Sequence, residues 1–411
     1  MAGGRTLTYA ALSALADATA RRLAARGVGE GDRVAVLLPA GVEFAAVAHA
    51  LPRIGAVLVP VNARLSAAER RFVVDGAHVV DEPVAGDQAD VALRDAVDPD
   101  APHSIIHTSG TTSRPKPVVL TYANHWASAR ASAANLGVEP GDAWLGVLPL
   151  FHVGGLQVLL RSAIYGTTAV LHDGFDADRV RATLEAGEVT LASFVATMVR
   201  RLRDAGWERA PRLRAALVGG GPVPRDLIEW AAGRDLPLLQ TYGMTETASQ
   251  IATARAGQVA AGRPLPGVDL RTSLDGELLV RGPMVARSAL AADGWLHTGD
   301  RGHVDPEGLL HVEGRIGDTI VTGGENVAAA EVEEALLSHP AVRDAGVVGR
   351  PDAEWGQVVT AYVVADAALT DEQLIAHARG RLAGFKLPRE IHRRDELPRN
   401  PAGKLVRRRL A

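Results

Sequence analysis

The sequence predicts an α/β protein with largely parallel sheets, and three observations carry that prediction. Apolar runs at helical spacing alternate with short buried strand-like runs from Thr8 to about Val195. Glycine-rich or hydroxyl-rich loops follow several of those strands, where open α/β sheets bind their ligands. The texture then changes twice. A small β-rich subdomain follows Gly262, and a compact α+β unit follows Arg315. The expected organisation is a large domain over 1–315 and a small one over 316–411.

Thr8 can cap a first helix that ends near Gly27. Leu12, Leu15, Thr19 and Leu23 share one face of it, while Asp17, Arg21 and Arg22 interrupt the apolar run, so it reads as an amphipathic surface helix and not a secretion signal. Residues 33–38 read as a buried strand, 42–54 as a helix and 56–61 as a second strand. Residues 81–102 are acidic and irregular, a surface connection. Asn124 is placed to cap a helix through about Leu136, and Asp176 one through about Ala186. Strands follow at 190–195, 213–218 and 236–240. Beyond Gly262, prolines and glycines punctuate short strands such as 277–281. The last unit has strands at 319–322, 345–348 and 358–364, with helices at 328–337 and 371–382.

With 411 residues and a formal charge of −4, the chain can bury a large core and lacks the basic excess of a nucleic-acid binder. Arg407, Arg408 and Arg409 form a short cluster that reads as a solvated helix face. Cysteine is absent, which excludes disulfides, thiolate metal sites and a cysteine nucleophile. Thioester chemistry would therefore need a thiol supplied by a substrate, and the composition is compatible with the cytoplasm. The most apolar region, 34–61, is broken by Pro39, Glu43, His49, Pro52 and Arg53, short of the roughly 20 continuous apolar residues of a membrane span.

The most informative stretch is HTSGTTSRPKPVVLTY at 107–122. Gly110 lets backbone come close to a ligand, Ser109, Thr111 and Thr112 offer donors to anionic oxygens, and Arg114 and Lys116 add charge. Apolar residues on both sides place this loop between two strands. Taken alone, a polar surface turn accounts for it equally well. A Walker A loop does not, because Pro115 and Pro117 flank Lys116 where a glycine and a hydroxyl are needed.

Five other segments carry compatible chemistry. They are Gly219, Gly220 and Gly221 after a buried strand; QTYGMTETASQ at 240–250, at another strand end; HTGD at 297–300; GRIGDTIVTGGENV at 314–327; and PRNPAGK at 398–404. With six such segments in this order, the chain resembles the acyl-adenylate-forming (AMP-binding) superfamily over nearly its whole length. TYANHWASA at 121–129, PLFHVGGL at 149–156 and QTYGMTETASQI at 240–251 look most like the o-succinylbenzoate–CoA ligases of menaquinone biosynthesis.

That resemblance implies ATP, Mg²⁺ and CoA as cosubstrate, a small carboxylic acid as partner, a mobile C-terminal domain, and neither nucleic acid nor membrane; a homodimer is compatible with it. It makes Ser109, Gly110, Thr111, Thr112 and Lys116 the triphosphate loop. Gly219, Gly220 and Gly221 would let an adenine lie flat under Tyr242, with Gln240, Gly243, Met244 and Thr245 completing the ATP site. Asp300 would accept ribose hydroxyls, Arg315 would reach ribose or phosphate oxygens, and Glu246 would hold Mg²⁺. Each has a plainer reading: a tight turn, a half-buried core tyrosine, a turn aspartate, a boundary arginine, a glutamate at a helix start.

Lys404 resembles the family's mobile catalytic lysine, whose loss would cost roughly 3–4 kcal/mol of transition-state stabilisation; otherwise it is one cation on a basic C-terminal helix. His152, Ser193, Thr197 and Arg201 are assigned to the acid. Thr197 and Arg201 are one helical turn apart, and an arginine suits a second carboxylate. Arg200 and Arg203 read as solvated, and Arg201 fits either reading. Gly317 and Asp318 fall at the family's hinge, with glycine where an Asp or Lys is usual. Gly323, Gly324 and Glu325 fall at its pantetheine channel. Ser113 and Pro117 replace glycines usual in the phosphate loop. The implied reaction is acyl-AMP formation followed by thioester formation. Alternatives are a ligase for another acid, an enzyme loading a carrier-protein thiol, and a non-catalytic nucleotide sensor, against which Glu246 and Lys404 argue.

Overall fold

The computed structural model describes residues 1–108, 115–400 and 404–410. The first sheet contains β1 (Arg33–Val36), β2 (Val57–Pro60), β3 (His78–Val80), β4 (Pro102–Thr108) and β5 (Lys116–Thr121), in the order β3-β1-β2-β4-β5. Its first four strands are parallel. β5 turns back antiparallel to β4, with Thr108 opposite Lys116. Helices α1 (Tyr9–Ala25) and α2 (Val42–Ile54) share a core with this sheet through Ala16, Ala20, Leu23, Phe44, Val47 and Leu51. The Thr8 hydroxyl caps α1, and left-handed Gly55 ends α2. A short α3 (Ala67–Val74) starts in a capping box between Ser66 and Glu69. The irregular connection before β4 is tied down as Ala89 N–H donates to Arg21 O at 3.0 Å and Arg94 N–H to Arg53 O at 2.8 Å.

The second sheet contains β6 (Ala143–Gly146), β7 (Thr168–Leu171), β8 (Leu191–Phe194), β9 (Ala215–Val218), β10 (Leu238–Met244), β11 (Ser249–Thr253) and β12 (Arg263–Pro264). Its order is β12-β11-β10-β9-β8-β6-β7, parallel from β10 to β7 and antiparallel beyond β10. Helices α4 (Tyr122–Leu136), α5 (Val153–Tyr165), α6 (Ala177–Glu185), α7 (Ala196–Asp204) and α8 (Arg225–Ala232) alternate with its strands. All of β8 and β9 is buried, as strands covered on both faces should be.

Two expectations are corrected here. Thr121, not Asn124, caps α4: the Thr121 hydroxyl accepts from Asn124 N–H at 3.2 Å, and Asn124 Oδ1 accepts from Thr121 N–H at 3.0 Å. Asn124 is therefore the third-position half of a capping box. β10 also continues past Gln240 to Met244, because antiparallel pairing with β11 takes over where the parallel ladder with β9 stops.

The third sheet is an antiparallel meander of β13 (Asp269–Thr272), β14 (Glu277–Arg281), β15 (Leu296–Val304) and β16 (Leu310–Arg315), the expected β-rich subdomain. The last unit holds β17 (Thr319–Thr322), β18 (Glu325–Ala328), β19 (Val342–Asp352), β20 (Gly356–Ala365) and β21 (Glu390–Arg393), with α9 (Ala329–Leu337) and α10 (Asp371–Arg379). It has its own core of Ile320, Val332, Leu336, Val347, Val363 and Leu374. The architecture is thus α/β layers with a β-rich subdomain, followed by a small α+β domain. Among the described residues no helix is long and apolar enough to cross a membrane.

Candidate active site

The ends of β9 and β10 build one wall. At Gly219 a Cβ would lie 2.6 Å from Thr241 Oγ1, so only glycine lets the chain leave β9 this close to β10. Gly220 has φ +80°, and Gly221 faces open space. Gln240, Tyr242, Gly243 and Met244 lie in β10, and Thr245 and Glu246 in the 3₁₀ turn Thr245–Thr247 that follows. β5, which begins at exposed Lys116, packs beside that turn. The expected phosphate-loop residues Ser109, Gly110, Thr111 and Thr112 lie outside the described residues.

The third sheet supplies the facing wall. Asp300 and Arg315 are register partners across β15 and β16. Arg315 Nε lies 2.8 Å from Asp300 Oδ1, and its Nη1 donates to Thr298 O at 2.7 Å. The Tyr242 hydroxyl donates to Asp300 Oδ2 at 2.7 Å. Burial, and then the Asp300 charge, raise the phenol's pKa, so Tyr242 remains a donor. This one buried carboxylate thus joins the main sheet to the subdomain, and lone pairs on its oxygens remain for a diol.

The small domain adds Lys404. Its N–H donates to Asn400 Oδ1 and its carbonyl accepts from Asn400 N–H, both at 2.8 Å. Lys404 is exposed as a residue, yet its ammonium pKa is lowered by desolvation and then by the Arg315 charge, against Asp300 and Asp318. The charges of Asp300 and Arg315 are thus felt at the Lys404 ammonium. Gly317 and Asp318 form a 3₁₀ turn between β16 and β17. Asp318 is bound by Arg407 Nη1 at 2.7 Å, and Arg407 Nη2 reaches Glu333 Oε2 at 2.7 Å. Arg407 is thus not part of a solvated helix face: the residues from 407 to 409 form a 3₁₀ turn, and two acids hold its first guanidinium. Gly323 and Gly324, at φ +57° and +85°, make the tight β17–β18 turn against Trp355, with Glu325 exposed beside them. Among the described residues no hydrogen bond or ion pair joins this hairpin to the Asp300 cluster.

Glu246 is half-buried and its carboxylate makes no hydrogen bond or ion pair among the described residues. No group of three or more potential metal-binding side chains occurs there either. A lone hard-oxygen ligand fits Mg²⁺, which keeps several waters and shares substrate phosphates.

The residues assigned to the acid are placed less uniformly. His152 precedes α5, its Nε2 buried without a partner, and burial pushes its pKa down to about 4, so the ring is neutral. The Ser193 hydroxyl accepts from Trp144 Nε1 at 3.0 Å and so is engaged in the core. Thr197 and Arg201 lie on α7, with the Arg201 guanidinium 5.0 Å from the Phe175 ring centroid. The two neighbours read as solvated are both engaged: Arg203 pairs with Asp226 at 2.8 Å, and Arg200 Nη1 donates to Arg343 O at 2.6 Å, which docks the small domain on α7. Nothing in the local sequence around Arg200 signals a partner in the other domain.

Residues 1–80 and 73–289 match the AMP-binding enzyme family, and residues 331–404 its C-terminal domain. The chain is 42% identical to a 2-succinylbenzoate–CoA ligase of Bacillus cereus, covering 93% of this chain and 89% of that protein. It also resembles the o-succinylbenzoate CoA synthetase of Bacillus subtilis. The complex of that enzyme with the acyl-adenylate OSB-AMP gives a TM-score of 0.94 at 37% identity, covering 100% of this chain and 94% of the other. Its complex with ATP and magnesium ion gives 0.92 at 37% identity, covering 100% and 95%. A double mutant bound to the product analogue OSB-NCoA gives 0.75 at 36% identity, covering 100% and 94%.

Proposed function

The chain belongs to the AMP-binding enzyme family, and from that premise we propose that it is an ATP-dependent, AMP-forming carboxylate–CoA ligase acting on o-succinylbenzoate. The observation that carries this reading is the Asp300 carboxylate, held at one oxygen by Tyr242 from β10 and at the other by Arg315 from β16, with β10 paired to the strand that leads into Gly219. Similarity to 2-succinylbenzoate–CoA ligases along both domains supports the choice of acid. The cytoplasm is the proposed compartment, in keeping with a reaction that consumes ATP and CoA.

Asp300 holds the ribose hydroxyls, with Tyr242 and Arg315 fixing its two oxygens. Adenine lies over Gly219, Gly220 and Gly221. Ser109, Gly110, Thr111, Thr112 and Lys116 are assigned to the triphosphate, and Glu246 is the residue that would hold Mg²⁺. When bound, that ion neutralises charge on the phosphates. An oxygen of the acid attacks the α-phosphorus, the bond to the pyrophosphate oxygen breaks, and acyl-AMP and pyrophosphate form. The Lys404 ammonium stabilises charge developing on the α-phosphoryl oxygens. Neutral His152 lines the acid's side without adding a competing charge.

The small domain, with its boundary after Arg315, then turns about Gly317 and Asp318. Lys404 withdraws and Gly323, Gly324 and Glu325 come to the thiol channel, where CoA sulfur attacks the acyl carbon and AMP leaves. A lid that serves two steps accords with the different TM-scores of the adenylate and product-analogue complexes. A panel of carboxylic acids with ATP and CoA tests the reading. o-Succinylbenzoate is expected to give AMP and thioester in equal amounts and to outrun benzoate and fatty acids. Preference for one of those acids, or no acid-dependent pyrophosphate release, contradicts it.

A further inference from the structure

Arg161 is a fully buried guanidinium that makes no ion pair among the described residues. Burying an unpaired cation is costly, so what it touches needs a reason. Its Nη2 donates to Ser128 Oγ at 2.9 Å and its Nη1 to Gln250 Oε1 at 3.1 Å. Ser128 Oγ donates in turn to Ala248 O at 2.9 Å, and Gln157 Nε2 donates to the same carbonyl at 2.8 Å. The second Gln157 N–H meets His125 Nδ1 at 2.9 Å, and His125 Nε2 meets Ser104 Oγ at 2.9 Å. Burial holds that imidazole neutral, so Nδ1 accepts and Nε2 donates.

Two of these bonds end on one carbonyl, Ala248 O, in backbone that resists its own conformation. Ala248 has φ +50° and Ser249 φ +114°, both uncommon for residues with a Cβ. Gly243 faces this bend so tightly that a Cβ there would lie 2.0 Å from Ser249 O. The strained pair directly follows the Thr245–Thr247 turn, and hence Glu246. At its far end the network reaches Ser104 on β4, the strand that leads to the phosphate loop.

We propose that Gln157, Ser128 and Arg161 are positioning residues for Glu246: they hold the strained Ala248 carbonyl so that the Glu246 carboxylate is presented to the metal in fixed relation to β4. This rests on the reading of Glu246 as the metal ligand. The positioning residues touch neither nucleotide nor metal. Loss of such support for a metal ligand typically lowers metal affinity about 10- to 100-fold.

The test is calorimetric titration of ATP into the whole protein, with and without Mg²⁺. Gln157→Met is expected to weaken Mg²⁺-dependent ATP binding by about 10-fold or more while leaving Mg²⁺-free binding unchanged. Adding Ala248→Gly, which relieves the strain at the first of the two positions, should restore part of the loss. If Gln157→Met does not fold, Ser128→Ala removes the other donor to the same carbonyl and is read in the same way. Equal weakening with and without Mg²⁺, or no change in either, overturns the proposal. Glu246→Gln separates the two readings. If it leaves Mg²⁺-dependent binding intact, the metal-ligand assignment fails; if it abolishes that binding while Gln157→Met does not weaken it, only the positioning proposal fails.

Discussion

Arg407 grips Asp318, Nη1 to Oδ2 at 2.7 Å, three residues beyond Lys404 in the chain. The same guanidinium holds buried Glu333 on α9. The segment bearing Lys404, the proposed hinge and the core of the small domain are therefore joined through one side chain. Any rotation that changes the Asp318 backbone must carry or break this contact.

Arg407→Gln should destabilise the small domain by about 2–4 kcal/mol, because it leaves Glu333 buried without its cation. Burial already holds the Glu333 carboxyl above the usual range. A carboxyl shifted upward is favoured protonated, so the penalty should be full at neutral pH and shrink as pH falls through the folded pKa. Denaturant melts at neutral and acid pH check this. A pH-independent loss would place the destabilisation elsewhere.

Asp300→Asn should raise the KM for ATP. The variant loses the charge that pairs with Arg315 and accepts from Tyr242, at about 1.5–3 kcal/mol for a charge-assisted hydrogen bond, or roughly 10- to 100-fold in affinity. Tyr242→Phe removes only one of the two groups that hold this carboxylate and leaves its charge and the Arg315 pair in place, so it should cost less, toward the lower end of the same range, about 1.5 kcal/mol. ATP titrations of both variants rank them, and the reverse order would dissociate Asp300 from the nucleotide.

Asp142 gives an acid limb to stability. Burial would raise its pKa, but Arg214, Thr190 and the Glu139 N–H together bring it down to about 2 from 3.8. A carboxyl lowered on folding contributes stability above its unfolded pKa and loses it as pH falls through the folded one. The contribution is about 2 kcal/mol, present at neutral pH and lost between about pH 4 and 2. Asp142→Asn should lower stability at pH 7 by that order and flatten the profile over that interval, measured by thermal melts across pH.

Much of the site is legible locally. Gly219 and Gly220 mark a strand end because a side chain there would meet Thr241 or need a positive φ, and such demands show in sequence as glycine. The alternation that predicts β8 and β9 is legible because both strands are buried throughout. Asn124 misleads as a cap because either end of a capping box carries a capping-type residue. Arg161 and Arg407 are illegible for another reason. Their partners lie 33 to 89 residues away, and composition cannot distinguish a solvated arginine from one that crosses the core or latches a turn. Ser193 shows the converse, a polar residue beside the expected pocket whose hydroxyl is committed to Trp144.

The central claim is tested most directly with Lys404→Ala, assayed separately for pyrophosphate release from ATP plus o-succinylbenzoate and for thioester formation from supplied acyl-AMP plus CoA. The first rate should fall by a factor corresponding to roughly 3–4 kcal/mol, or about 10²- to 10³-fold, while the second stays near that of the unaltered protein. Equal loss in both half-reactions, or none in the first, would contradict a lysine that serves one step and then withdraws.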